Sequence, residues 1–239
     1  MEVQFYLFSS VFLEIYDLGF MGKNLINNII FDLDGTLIDS STGILGSLAN
    51  AFSSCNLDPI RPFSADIIGP PLMETLSILS GISDKDVLNE LAEEFKSHYD
   101  TFGYKKTIVF PGINEMLRRF RNSGLHMYIA TNKRILPTNK IINYLKWNKI
   151  FEGIYSLDSY LPSASSKSEV LSKLVKDNNL KKGSVIYIGD HEEDNLAAIA
   201  SNIPFLIVSW GYDEAEENLI NKDKINTPND LYNQLLVKN

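Results

Sequence analysis

Pairs of aspartates at two places in the sequence are the residues best suited to chemistry. Asp32 and Asp34 stand two positions apart and are followed by Gly35, which lets the backbone turn sharply. Asp190 and Asp194 stand four positions apart in the second half of the chain. Carboxylates that converge need a cation, and ligation by oxygen alone suits Mg²⁺, which commonly binds carboxylates, water and a phosphate oxygen. The set therefore predicts a magnesium site that acts on a phosphorylated substrate.

The Asp-x-Asp-Gly sequence also occurs in calcium-binding loops and in ordinary acidic turns. An EF-hand loop needs glycine at its sixth position and glutamate at its twelfth. Counted from Asp32, those positions hold Leu37 and Gly43, which excludes an EF-hand. An acidic surface turn remains an alternative interpretation of this short segment taken alone.

Short apolar runs, each followed by a longer helical pattern, fill most of the chain outside residues 39–110. This alternation is typical of an α/β protein in which helices flank a parallel sheet. Ligands of such sheets bind beyond the carboxyl ends of the strands, where this sequence places Asp32, Thr131 and Asp190. The predicted strands are Asn28–Leu33, Leu125–Thr131, Gly153–Ser156, Ser184–Gly189 and Phe205–Ser209, and the predicted helices include Ile113–Asn122 and Ser168–Asn178.

Residues 39–110 contain helical patterns and no convincing strand. A crossover between neighbouring strands does not need about seventy residues, so this segment is predicted to be a separate helical cap with hinges at Ile38–Thr42 and Thr107–Gly112. The remaining chain then divides into an N-terminal extension, residues 1–20, and an α/β core, residues 21–38 and 111–239. The predicted cap helices are Ile44–Phe52, Asp66–Leu79 and Asp84–Tyr99.

The composition limits the partners that this protein is expected to have. The chain has 239 residues with 30 acidic and 22 basic side chains, a formal charge of −8, which argues against nucleic-acid binding. One cysteine, Cys55, cannot form an intramolecular disulfide, as is typical of a reducing compartment. The sequence lacks a run of about 20 apolar residues that could span a membrane. We therefore expect a cytoplasmic monomer or weak homodimer without nucleic-acid or membrane partners.

Residues 1–20 contain thirteen apolar side chains and no lysine or arginine, unlike the positive start of a signal peptide. Two interpretations fit this segment. It forms an added helix packed on the core or a partner, or translation begins at Met21. We favour the second, because a first strand near residue 28 needs no preceding element to complete the sheet.

Four motifs stand in order along the chain: Phe31-Asp32-Leu33-Asp34-Gly35-Thr36-Leu37, Ala130-Thr131-Asn132-Lys133, Lys167, and Gly189-Asp190-His191-Glu192-Glu193-Asp194. Together they resemble the motifs of the haloacid dehalogenase-like hydrolases, within the phosphoglycolate phosphatase-like branch. The resemblance implies a Rossmann-like parallel sheet core with a small all-helical cap inserted after the first strand. It extends from about Ile29 to Tyr212, and Gly69-Pro70-Pro71-Leu72 also resembles that branch.

The resemblance implies a role for each motif residue. Asp32 would attack phosphorus to form an aspartyl-phosphate, and Asp34 would protonate the leaving alcohol and later deprotonate water. Mg²⁺ would be held by Asp32, the backbone carbonyl of Asp34, and Asp190. Lys167 would neutralise the phosphoryl group, although Ser168 stands where the family usually has proline. Asp194 would orient Lys167 or metal-bound water, and the implied substrate-binding residues are Gly35, Thr131, Asn132 and Lys167.

These roles predict a Mg²⁺-dependent phosphatase acting on a small phosphorylated metabolite. A sugar-phosphate mutase of the same fold is the alternative, and dehalogenation is disfavoured because dehalogenases of the family lack an acid at the place of Asp34. A non-catalytic binding protein is disfavoured because no expected carboxylate is missing. The cap holds ten acidic and five basic residues, so it offers no broad clamp for anions. Phosphoglycolate, nucleotides and pyrophosphate all remain open as substrates.

Overall fold

A computed structural model describes residues 26–212 and 224–236. The strands are β1 (Asn28–Phe31), β2 (Ile38–Asp39), β3 (Ile108–Val109), β4 (His126–Thr131), β5 (Gly153–Ser156), β6 (Val185–Gly189) and β7 (Phe205–Ile207). The helices are α1 (Ser41–Ser54), α2 (Leu72–Ser80), α3 (Lys85–Tyr99), α4 (Ile113–Asn122), α5 (Ile135–Tyr144), α6 (Lys167–Asp177), α7 (Glu192–Ser201) and α8 (Pro228–Leu236).

Five strands form a parallel sheet in the order β5-β4-β1-β6-β7, which confirms the predicted α/β class. The central strand β1 is buried along its length, and Ile29 lies in register with Met127 and Ile186. Because the strands are parallel and adjacent, β1, β4 and β6 present their carboxyl ends at one edge of the sheet.

Apolar side chains pack on both faces of this sheet, as expected for parallel strands covered by helices. On one face α4, α5 and α8 pack against Ile29 and Phe31, and the ring centre of Phe120 in α4 lies 6.4 Å from that of Phe31. On the other face α6 and α7 pack against Ile30 and Tyr187. The sheet between the two layers holds the strand ends in fixed relative positions.

The first strand is shorter than predicted, because β1 ends at Phe31 rather than Leu33. The chain turns immediately afterwards, where the N–H of Leu37 donates to the carbonyl of Leu33 and Gly35 has a φ of 84°. Asp32 and Asp34 therefore lie in a tight loop after the strand rather than on a continued strand.

The helical insert has its own apolar core, formed by α1, α2 and α3 around Leu48, Leu76 and Phe95. The single predicted helix Asp66–Leu79 is wrong: a 3-10 turn, Ala65–Ile67, precedes α2, which begins only at Leu72. The interruption falls at Pro70 and Pro71, since proline disfavours helical backbone in the residue before it and lacks an N–H donor.

The prediction that residues 39–110 contain no strand is also wrong at both ends of the segment. Strands β2 and β3 pair antiparallel, with Ile38 opposite Val109 and Asp39 opposite Ile108. The two predicted hinges are therefore held side by side by a short ribbon. The division of the chain into core and cap at these residues stays a prediction.

The two interpretations of residues 1–20 concern a segment that lies outside the described residues, and they stay predictions. In the described part of the chain, every helix is too short or too polar to cross a lipid bilayer.

Candidate active site

The loop after β1 places Asp32 at the edge of the sheet formed by the carboxyl ends of the strands. The N–H of Asp32 donates to the carbonyl of Ile188 at 2.8 Å, which fixes the residue against β6, and only 5% of Asp32 is exposed. The turn brings Gly35 over Asp190: a Cβ atom on Gly35 would lie 2.0 Å from Asp190 Oδ2. The loop therefore requires glycine here for both its positive φ and this close approach.

Asp190 follows β6 directly and is 4% exposed. Its Oδ1 atom accepts a hydrogen bond from the hydroxyl of Thr36 at 2.9 Å, and its Oδ2 atom accepts one from the N–H of Tyr212 at 2.9 Å. A Cβ atom on Gly211 would lie 2.3 Å from this carboxylate. Two glycines and two donors thus fix the orientation of Asp190.

Lys167 is the first residue of α6 and is buried beside these aspartates, with 5% of its surface exposed. Its Nζ atom donates to Asp32 Oδ1 at 3.0 Å and to Asp194 Oδ1 at 2.6 Å. Asp194 is fully buried and also accepts hydrogen bonds from the hydroxyl of Tyr187 at 2.7 Å and the N–H of His191 at 3.2 Å. The structure thus brings the residues of the first, third and fourth motifs into direct contact.

Burial and neighbouring charges shift the pKa values of Asp32, Asp190 and Lys167. Burial raises the pKa of Asp32 well above its ordinary value, against the influence of Lys167. Burial likewise raises the pKa of Asp190 to about 6, although hydrogen bonds oppose the rise. Burial disfavours the charged form of Lys167, but Asp194 and Asp32 outweigh it and raise the lysine pKa.

A divalent cation fits this donor set. One carboxylate oxygen from each of Asp32, Asp190 and Asp194 can be chosen so that all three lie within 4.8 Å of one another. Among the described residues Lys167 pairs with Asp32 and Asp194, and Asp190 makes no ion pair. The three buried carboxylates therefore carry excess negative charge, which a hard divalent ion would balance. Asp194 accepts three hydrogen bonds from described residues, two of them at Oδ1, whereas Asp190 accepts two and Asp32 one. Asp32 and Asp190 therefore keep more lone pairs for a cation than Asp194 does.

Asp34 is held by Lys133, the last residue of the second motif, to which no role was assigned, and by Ser40. Lys133 Nζ donates to both oxygens of Asp34, at 3.1 and 3.0 Å, and lies 4.6 Å from the centre of the Tyr99 ring. The hydroxyl of Ser40 donates to Asp34 Oδ1. Lys133 follows Thr131 and Asn132 at the end of a strand, so its position near the site could be predicted, although its contact with Asp34 was not. No sequence pattern pointed to Ser40.

Tyr212 connects the start of the insert to Asp190. Besides donating its N–H to Asp190, its hydroxyl donates to Asp39 Oδ1 at 3.0 Å and accepts the N–H of Ser40 at 2.7 Å. Asp39 and Ser40, the two residues that the Tyr212 hydroxyl contacts, both lie at the start of the insert. The position of the insert is therefore coupled to that of Asp190.

Thr131 and Asn132 lie at the end of β4 and line the same cavity as Asp32 and Asp34. The Thr131 hydroxyl oxygen accepts the N–H of Lys133 at 3.2 Å, so its hydrogen remains available to a ligand. The Asn132 amide instead donates to the carbonyl of Gly69 at 3.0 Å and to Glu193 at 2.9 Å. In this structure Asn132 joins the cap to the core, and its predicted contact with substrate stays a prediction.

The geometry agrees with what sequence comparisons find. Residues 29–208 match the family described as haloacid dehalogenase-like hydrolase. The phosphoglycolate phosphatase of Rhodobacter capsulatus is 31% identical over 190 residues, which cover 77% of this chain and 84% of that protein. The tyrosine-protein kinase PtkA of Mycobacterium tuberculosis is 30% identical over 193 residues, which cover 79% of this chain and 64% of that protein. This chain thus spans less than two thirds of the length of the kinase.

A solved structure shows the same architecture. The crystal structure of a predicted phosphatase from Clostridium acetobutylicum has a TM-score of 0.79 and 27% sequence identity, covering 89% of this chain and 99% of that one. These similarities confirm the resemblance drawn from the four motifs. Because the family match covers most of the sequence, the chain belongs to the haloacid dehalogenase-like hydrolase family.

Proposed function

We propose that this protein is a Mg²⁺-dependent phosphatase that hydrolyses a small phosphomonoester through an aspartyl-phosphate intermediate. The observation that carries the proposal is the placement of Asp32, a buried carboxylate paired with Lys167 and lining one cavity together with Asp34 and Thr131. The names of the phosphatase relatives support the same reaction class.

Asp32 is the proposed nucleophile. Its carboxylate oxygen forms a bond to phosphorus while the bond from phosphorus to the leaving alcohol oxygen breaks. Lys167, 3.0 Å from Asp32 Oδ1, offsets the negative charge that the phosphoryl group brings. Thr131 can donate its hydroxyl hydrogen to a phosphoryl oxygen.

Asp34 is the proposed general acid and base. It gives a proton to the leaving alkoxide, and it later accepts a proton from the water that attacks phosphorus and releases Asp32. Lys133 and Ser40 fix its carboxylate, so they are positioning residues for both steps.

Mg²⁺ would be held by Asp32, Asp190 and the backbone carbonyl of Asp34. When bound, it would reduce the repulsion between a carboxylate nucleophile and a phosphate dianion. Thr36 and Tyr212, which each donate to Asp190, keep that ligand oriented without occupying all of its lone pairs.

A panel of phosphorylated metabolites, each assayed for released phosphate with and without Mg²⁺, tests the proposal. We expect release that needs Mg²⁺ and is abolished by Asp32→Asn, whereas Asp58→Asn, a change at an exposed acid of the cap, has no effect. Release that survives Asp32→Asn would contradict the mechanism.

Two further assays address other activities. Isomerisation of a hexose 1-phosphate in the presence of a bisphosphate activator, without phosphate release, would favour the sugar-phosphate mutase. Transfer of phosphate from ATP to tyrosine would favour the activity that the name of the mycobacterial relative states. We propose a cytoplasmic monomer or weak homodimer with no nucleic-acid or membrane partner.

A further inference from the structure

The cavity above Asp32 and Asp34 lies between core and cap, and the cap contributes an apolar wall. Its volume is about 90 Å³, well below the roughly 300 Å³ at which pockets for drug-sized ligands begin. The leaving group of a substrate, bonded to the phosphoryl group at Asp32, must lie against this wall. The apolar cap residues that line it are Ile44, Leu48, Ile67, Ile68, Leu72 and Phe95.

The cations of this cavity already have carboxylate partners. Among its described lining residues the cations are Lys133 and Arg134. Lys133 bonds both oxygens of Asp34, and these two side chains are 7% and 11% exposed. Arg134 makes two hydrogen bonds to Asp100 of the cap, at 3.1 and 2.6 Å.

Releasing either cation to a substrate would break a contact that the site uses. Lys133 positions the proposed general acid, and its removal would leave the Asp34 carboxylate, which is 11% exposed, without its ion-pair partner. Arg134 fixes the end of α3 to the start of α5. Lys140 strengthens this connection, because its Nζ atom donates to the carbonyl of Asp100 at 2.7 Å. A carboxylate or second phosphate on the leaving group would thus be desolvated against a cap wall whose polar side chains, Thr75 and Tyr99, carry no charge. Among the described lining residues it would find no unpaired cation, so its burial would be costly.

We propose that the substrate is a phosphomonoester of a small, uncharged alcohol, so that the phosphoryl group is its only anionic group. This inference rests on the proposed phosphatase function and narrows it. Contact with the apolar wall stabilises the binding of an uncharged leaving group, and such a group leaves both ion pairs intact. The cap has ten acidic and five basic residues in residues 39–110, and this negative charge also disfavours a second anionic group on the substrate.

A matched pair of substrates tests the inference directly. 2-Hydroxyethyl phosphate and 2-phosphoglycolate have similar size and differ in whether the far end is a hydroxymethyl group or a carboxylate. We expect kcat/KM to be higher for 2-hydroxyethyl phosphate by about tenfold or more, the ratio that one uncompensated buried charge readily produces. Equal values, or a preference for phosphoglycolate, would overturn the inference while leaving the phosphatase function in place. Failure to hydrolyse either ester above the level of Asp32→Asn would overturn the proposed function and the inference with it.

Adding a cation to the apolar wall provides a second test. Ile44→Lys and Leu72→Lys each change a partly buried lining residue, and Ile44→Met and Leu72→Met are the controls of similar size without charge. The quantity to compare is kcat/KM for 2-hydroxyethyl phosphate divided by kcat/KM for 2-phosphoglycolate. In whichever lysine variant retains a cooperative melting transition, this ratio should fall by about tenfold. Methionine variants should keep the parental ratio. A lysine variant that folds, hydrolyses both esters and keeps the parental ratio would contradict the inference, because the wall would then not contact the leaving group.

Discussion

Replacing Lys167 by methionine removes the buried cation that contacts Asp32 and Asp194 while preserving most of the side-chain volume. The lysine side chain is 5% exposed, and those of its two partners are 7% and 1% exposed. Breaking a buried ion pair by removing one partner typically costs about 3–5 kcal/mol, since the other charge stays buried without compensation. For a chain of this length that corresponds to a fall in melting temperature of about 6–20 °C.

Lys173→Met is the matched control on the same helix. Lys173 pairs with Glu169 at 2.8 Å, but both side chains are about one third exposed, so this contact contributes little. We expect its loss to change kcat/KM by less than about twofold and the melting temperature hardly at all. Lys167→Met should lower kcat/KM by about a hundredfold or more, because the charge acts on the transferring phosphoryl group.

The pH dependence of Lys167→Met follows from the raised pKa values of its neighbours. Burial raises the pKa of Asp32, and that of Asp190 to about 6, so in the folded state these carboxyls hold protons more readily than in the unfolded chain. Their contribution to stability is present at low pH and is lost as the pH rises through these pKa values. The destabilisation measured by thermal unfolding without metal should therefore be larger at about pH 8 than at about pH 5, and Mg²⁺ should reduce it. If Lys167→Met has the same melting temperature as the parent at both pH values and retains full activity, the placement of Lys167 is refuted.

Three other predictions test the remaining parts of the site. Asp34→Asn should slow hydrolysis of an alkyl phosphate far more than that of an activated aryl phosphate, whose leaving group needs no proton, and equal losses in steady-state assays would argue against the acid role. EDTA should abolish phosphate release, Mg²⁺ should restore it and Ca²⁺ should restore it poorly, because its shell is larger and less regular; activity that persists in EDTA would contradict the metal site. Gly35→Ala should abolish Mg²⁺-dependent activity, because its Cβ atom would lie 2.0 Å from Asp190 Oδ2, whereas Gly124→Ala, at a similar positive φ with nothing within 4 Å, should cost only about 1 kcal/mol of stability.

The sheet and the motif residues could be predicted because both are local features of the sequence. Consecutive apolar residues predict a buried parallel strand. The residue that follows such a strand must lie at the edge of the sheet where ligands bind. This reasoning located Asp32, Thr131 and Asp190, and the motif resemblance added Lys167, which the structure places 3.0 Å from Asp32.

The contacts made by the insert could not be predicted in the same way. Ser40 reaches Asp34 because the loop after β1 turns back, and Tyr212 reaches Asp39 across 173 residues of chain. These contacts depend on how the ribbon of β2 and β3 orients the cap, and no periodic pattern records that orientation. The broken helix before Leu72 shows the same limit, since its apolar spacing continued through a turn that the two prolines impose.

The central claim, that Asp32 becomes phosphorylated, can be measured by mass spectrometry. The Asp34→Asn variant, in which attack by water should be slow, would be mixed with Mg²⁺ and an aryl phosphate, quenched in acid within one turnover and digested. The account predicts that the peptide containing Asp32 carries one added phosphoryl group and that the additional change Asp32→Asn eliminates it. A phosphoryl group on another residue, or aryl phosphate turnover by Asp34→Asn with no phosphorylated peptide at any quench time, would contradict it.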